Sequence, residues 1–234
     1  MINCKFADIP VEISHRYDYV KKLTKNYITD DEPILRISLS EKELAEEIER
    51  DPSFSPAVHE SSAIYRKLCQ KLILHDIFVF HSSAVMYENM AYIFTAPSGT
   101  GKSTHASLWK EYFGDKAIII NDDKPLIKKA DDGFWVYGTP WSGKTNTNVN
   151  TKVKIQSICL LQQAKENIIF PLTYEKALIP LLNQTLHFED EKKENRILDL
   201  LDLLLTTVPI YKLGCNISKE AVELAYNTMK GTNK

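Results

Sequence analysis

The chain has 234 residues, enough for one well-filled core or one core with a small appendage. Hydrophobic residues make up 44% and charged residues 26%, with a formal net charge of -2 and a pI of about 6.3. These totals hold no basic field of the kind a nucleic-acid binder uses.

No run approaches the roughly 18 apolar residues of a membrane span. Residues 1–10 lack the apolar core of a secretory leader, so a cytoplasmic protein without a membrane partner is expected. The four cysteines, Cys4, Cys69, Cys159 and Cys215, are far apart in apolar segments. They read as buried small hydrophobes in a reducing compartment, because no pair has a zinc-site spacing.

Taken in chain order, residues 11–14 and 34–39 read as short strands, with a helix over 17–27 between them. Ser40-Glu-Lys-Glu is a capping box. Its hydroxyl and carboxylate each satisfy a free backbone N–H, and the helix it starts reaches Arg50. The breaker-rich Asp51-Pro-Ser-Phe-Ser-Pro marks the expected boundary between an N-terminal α+β portion, 1–56, and a second domain, 57–234.

From 58 to 75, Ile64, Leu68, Leu72 and Ile73 recur at helical spacing. Strand-like runs follow at 78–85, 91–96, 117–121 and 134–137. Segment 124–133 reads as a connection whose Asp131-Asp132-Gly133 forms a hairpin turn. Strands are expected again at 155–161 and 168–171, and helices at 174–187 and 191–207. Strand 210–213 and a helix over 218–229 capped by Ser218 close the chain. Strands and helices mixed in this way give an α/β class with some antiparallel pairing.

The most specific segment is Ala96-Pro-Ser-Gly-Thr-Gly-Lys-Ser, which fits [AG]-x-x-x-x-G-K-[ST] and lies between a buried-strand run and a helical one. Gly99 and Gly101 let successive backbone N–H groups converge into an anion nest at a helix N-terminus. Ser98, Gly99, Thr100, Gly101, Lys102, Ser103 and Thr104 are therefore the expected nucleotide-binding residues. Lys102 would reach the β- and γ-phosphates and Ser103 would offer its hydroxyl to Mg2+. The cofactors expected are ATP and Mg2+.

Three further segments carry residues suited to phosphate chemistry. The run Ile118-Ile-Ile-Asn-Asp-Asp ends in Asp122 and Asp123. On a strand they would face opposite sides, one towards the metal and the other towards an acceptor as base or into structure. His81 ends a strand whose hairpin through Glu88-Asn89 would return beside the loop. Gly138-Thr-Pro-Trp-Ser-Gly-Lys-Thr-Asn is too dense in special residues for a plain connection, so Lys144 is expected to meet a transferred phosphoryl group or an acidic acceptor.

Together, His81-Ser-Ser-Ala, Ser98-Gly-Thr-Gly-Lys-Ser-Thr and Asn121-Asp-Asp resemble the catalytic domain of HPr serine kinase over about residues 78–215. They also resemble its relative, ATP-dependent phosphoenolpyruvate carboxykinase. The ending Val208-Pro-Ile-Tyr-Lys-Leu-Gly-Cys is similar to that of small HPr-kinase-like proteins. The resemblance implies a compact, mixed, mostly antiparallel sheet carrying the P-loop, with flanking helices. It also implies His81 near the metal or γ-phosphate, Asp122 as base and Asp123 towards the metal.

There are departures. Thr104 follows the loop, as in the carboxykinases, where HPr kinases usually carry Glu. Neither the Gly-rich phosphorolysis segment nor an arginine-rich dicarboxylate site is evident. The expected activity is an ATP-dependent kinase acting on a serine-like hydroxyl of a peptide or small molecule. The alternative is an ATP-binding regulatory or scaffold protein without turnover.

Overall fold

The computed structural model describes residues 1–231 and divides them into two compact units, Met1–His75 and a second that begins at Asp76. The boundary expected at 56/57 thus falls inside the first unit. The reason is packing: the helix that begins at Pro56 buries its apolar face within that unit.

In the first unit, β1 (Ile2–Phe6) and β2 (Ile9–Ile13) form a hairpin. Its two-residue turn, Ala7 and Asp8, has positive φ at both positions, the geometry that matches the twist of the strands. Helix α1 (Asp18–Leu23) leads to β3 (Leu35–Ile37), which lies parallel to β2. The capping box of α2 (Glu41–Arg50) is present: Glu43 N–H donates to Ser40 Oγ at 3.2 Å and Ser40 N–H to Glu43 Oε2 at 2.7 Å.

Helix α3 (Pro56–Leu72) starts on a proline, whose missing N–H costs nothing in a first turn. Its buried Glu60 accepts from the backbone N–H groups of Arg16 at 2.7 Å and Tyr17 at 3.0 Å. That pairing satisfies a carboxylate that burial would otherwise make costly.

The second unit is a mixed sheet with helices. Its elements run β4 (Ile77–Val79), β5 (Ser82–Tyr87), β6 (Met90–Thr95), α4 (Lys102–Phe113), β7 (Ile118–Asn121), β8 (Leu126–Ala130), β9 (Gly133–Tyr137) and β10 (Lys152–Gln163). They continue with β11 (Ile168–Pro171), α5 (Tyr174–Leu182), α6 (Glu191–Thr207), β12 (Ile210–Cys215) and α7 (Lys219–Met229).

The strand order is β4-β8-β9-β10-β6-β5-β7, with β12 on β10 and β11 on β12. The β6–β10 and β10–β12 pairings are parallel, and the other pairings in this unit are antiparallel. Two expectations differ from this. The single strand read at 78–85 is broken at Phe80-His81, and the connection read at 124–133 contains β8, whose two lysines and short length hid it.

Trp109 of α4, fully buried, centres a core with Tyr92, Phe94, Cys159, Leu161, Val222 and Met229. Its indole N–H donates to Nε2 of buried His105 at 3.1 Å, so His105 serves the core. Among the described residues, no helix is long and apolar enough to cross a membrane.

Candidate functional site

The backbone between β6 and α4 is shaped by its glycines. Gly99 has φ +81 and Gly101 φ +112, and a Cβ at either would meet nothing within 4 Å. The demand for glycine here is therefore conformational rather than steric. Gly101 is the N-cap of α4, so the helix begins at Lys102 with its first backbone N–H groups directed at the loop.

Lys102 is only 7% exposed, and its Nζ donates to the Ala96 carbonyl at 2.9 Å, folding the ammonium back across the loop. Burial lowers the pKa of Lys102, and the nearby carboxylates of Asp123 and Asp122 oppose that shift.

One open cleft of about 480 Å3 is lined by Ser98, Gly99, Gly101, Lys102, Ser103, Thr104, His81, Asp122, Asp123 and Lys144. Of the residues expected to bind nucleotide, Thr100 is the one that does not line it. The Thr100 hydroxyl donates to the Pro97 carbonyl at 2.9 Å and braces the loop from behind. The cleft lies wholly within the second unit.

His81 reaches the cleft as its hairpin predicts. Strands β5 and β6 pair from Tyr87↔Met90 back to Ser82↔Thr95, and the Glu88-Asn89 turn has positive φ at both residues. Thr95 Oγ1 donates to the His81 carbonyl at 2.8 Å. The imidazole spans two partners, with Nδ1 3.1 Å from Gln184 Oε1 and Nε2 3.2 Å from Asp123 Oδ1.

The two aspartates are not consecutive strand residues on opposite faces. Strand β7 ends at Asn121, and the chain then turns. The Asn121 side chain closes that turn: Oδ1 accepts from the N–H groups of Asp123 at 2.9 Å and Lys124 at 2.8 Å, and Nδ2 donates to the Thr139 carbonyl at 2.9 Å. The turn separates the acids by environment while leaving both in the cleft.

Asp122 is 5% exposed, and both its oxygens accept from hydroxyls, Oδ1 from Ser83 at 2.7 Å and Oδ2 from Thr145 at 2.9 Å. Asp123 faces His81 and Lys124, the Lys124 ammonium lying 3.3 Å from Oδ2. Burial pushes the Asp123 carboxyl up, but the His81 hydrogen bond and the Lys124 charge outweigh it and hold the carboxyl below its ordinary range.

The 138–146 segment closes the cleft on the side of the acids. A Cβ on Gly138 would lie 1.9 Å from the Val149 carbonyl oxygen, so the backbone there passes with no room for a side chain. Trp141 is buried rather than displayed, and Ser142 Oγ accepts from Asn148 Nδ2 at 2.9 Å. Gly143, φ +68, lies against Asp123, whose Cβ is 2.9 Å from where a Gly143 Cβ would be. Lys144 is exposed at the rim.

Sequence reasoning did not single out Ser83, Thr145 or Gln184 as site residues. Gln184 reaches His81 across 103 positions, and no local pattern announces such a contact.

Among the described residues, no group of three or more His, Cys, Asp and Glu side chains is placed to hold a metal ion. Ser103, Asp122 and Asp123 line the same cleft.

No family model and no curated protein matches the chain. Among solved structures, it is similar to the Hpr(Ser) kinase/phosphatase from Coxiella burnetii, at 10% identity and a TM-score of 0.38 over 65% of this chain and 93% of that one.

Proposed function

We propose that the chain is an ATP-dependent phosphotransferase that acts on a serine-like hydroxyl of a peptide or small molecule. The observation that carries this reading is the convergence in one cleft of a glycine-shaped helix N-terminus, the buried Lys102 and the two differently partnered carboxylates.

Each residue has a task. The backbone N–H groups of Gly99, Gly101, Lys102 and Ser103 cradle the phosphates, and Lys102 neutralises β- and γ-oxygens. A bound Mg2+, held by Ser103 and Asp123, supplies charge neutralisation on the phosphate oxygens. His81 and Lys124 keep Asp123 ionised and aimed.

Asp122 accepts the proton of the acceptor hydroxyl as its oxygen attacks the γ-phosphorus and the bond to the bridging oxygen breaks, releasing ADP. Most of the rate in such a loose transition state comes from positioning and charge. A cleft that presents a cation and two fixed carboxylates supports that role better than simple nucleotide storage, which needs no second acid.

The test is a screen with γ-labelled ATP and Mg2+ against free serine, inositol and short serine peptides, beside calorimetry of MgATP binding. Label on a hydroxyl acceptor is expected. Tight MgATP binding with no transfer to any hydroxyl would favour the regulatory reading.

A further inference from the structure

One hydroxyl of this chain already occupies the place where the proposed reaction needs its acceptor. Asp122 has two hydroxyl partners of different character. Ser83 belongs to the core strand β5 and is fully buried, so its bond to Oδ1 is scaffold. Thr145 is exposed and sits in the short 3-10 turn Gly143–Thr145, between Gly143 at φ +68 and Asn146 at φ +50. Its hydroxyl has one proton to give.

The Asp122 Oδ2 at 2.9 Å is ionic and nearer than the Ser142 carbonyl at 3.3 Å, so the carboxylate takes the proton. The Thr145 oxygen has two lone pairs, and only one of them has an N–H donor among these contacts. That donor is the Thr147 N–H, in a weak contact at 3.3 Å. Thr145, Lys102, Ser103 and the glycines of the loop line the same cleft, and Lys102 interacts electrostatically with Asp122.

We propose that Thr145 is phosphorylated within its own chain, in the cleft that binds the nucleotide. This inference rests on the phosphotransfer reading of the cleft. Thr145 Oγ1 attacks the γ-phosphorus of ATP and forms the new P–O bond, and the hydroxyl proton passes to Asp122 Oδ2. The bond between the γ-phosphorus and the bridging oxygen breaks, and its electron pair leaves with ADP. The products are phosphothreonine and ADP, and no further reactant is needed. Thr145 is already hydrogen-bonded to the base of its own chain, so the reaction is first order in protein.

The experiment incubates the full chain with MgATP, maps phosphate by tandem mass spectrometry, and measures MgATP binding separately by calorimetry. Phosphate is expected on Thr145, at saturating MgATP, with a fraction phosphorylated per unit time that is unchanged by dilution of the protein. It is expected to be lost in T145V and retained as phosphoserine in T145S. Localisation in the wild-type chain does not depend on how either variant folds.

A chain that phosphorylates free serine or another added hydroxyl but carries no phosphate at Thr145 overturns this inference and leaves the proposed function standing, whereas MgATP binding with no transfer to any hydroxyl overturns this inference and favours the regulatory reading. A chain with no MgATP binding overturns both. Label on another hydroxyl, or a fractional rate that falls on dilution, overturns the intramolecular assignment.

Discussion

Replacing Asp122 by Asn separates the chemistry of the cleft from its architecture. In the native chain both carboxylate oxygens take a hydroxyl proton, from Ser83 at 2.7 Å and from Thr145 at 2.9 Å. An amide keeps one acceptor and turns the other position into a donor, so one hydroxyl must rotate to accept. Two charge-assisted hydrogen bonds become two neutral ones, a loss of about 1–2 kcal/mol. At roughly 2–4 °C per kcal/mol for a chain of this size, Tm falls by about 2–8 °C and the protein remains folded in an assay.

Transfer is affected much more, because removing a base of this kind typically costs on the order of 10²–10⁴-fold. MgATP affinity should stay within a few-fold of wild type, since the loop amides and Lys102 are untouched and one anion near the phosphates is gone. Asp123→Asn should do the reverse and weaken metal-dependent binding, as it also removes the partner of His81 and Lys124. Labelled-ATP transfer, calorimetry and thermal melts on the two variants decide the matter. Wild-type transfer by Asp122→Asn would show that Asp122 only anchors a turn, and the base assignment would be wrong.

Other outcomes follow from single contacts. Lys102→Ala should lower MgATP affinity sharply in calorimetry, because it removes the buried cation of the loop. Buried His105, ringed by Phe94 and Trp109, has its pKa lowered by burial from 6.5 to about 4. Between those values the unfolded chain binds a proton that the native chain does not, so this group's stabilisation is complete above pH 6.5 and is lost as pH falls towards 4. The loss amounts to roughly 3 kcal/mol. His105→Gln, which keeps an acceptor for Trp109, should flatten that part of the urea-denaturation profile relative to wild type.

Gly138→Ala should lose about 3 kcal/mol or more in the same assay. Its Cβ meets the Val149 and Ile120 carbonyl oxygens at 1.9 and 2.9 Å, and backbone cannot move aside as a side chain can.

What the sequence determined by itself is what neighbours in the chain determine. The capping box at Ser40, the proline start of α3, the Glu88-Asn89 hairpin and the strand–loop–helix around Gly99 and Gly101 are local agreements of dihedral preference and hydrogen bonding. They could be read without knowing what packs against them. The loop and the acid pair were legible as cleft residues for the same reason, since each follows a strand that the pattern revealed, whereas His81 lies at a break in the strand read at 78–85.

Tertiary structure alone decided the rest. Strand β8 exists because β4 and β9 pair with it, despite its lysines. The helix at Pro56 belongs to the first unit because its apolar face is buried there. Asp122 and Asp123 differ because Asn121 bends the chain after β7, and because Ser83, Thr145, His81 and Lys124 arrive from other elements. Hydrogen-bond partners as far apart as His81 and Gln184, 103 positions, leave no periodic trace in the chain, and only folding brings them within 3 Å or so of one another.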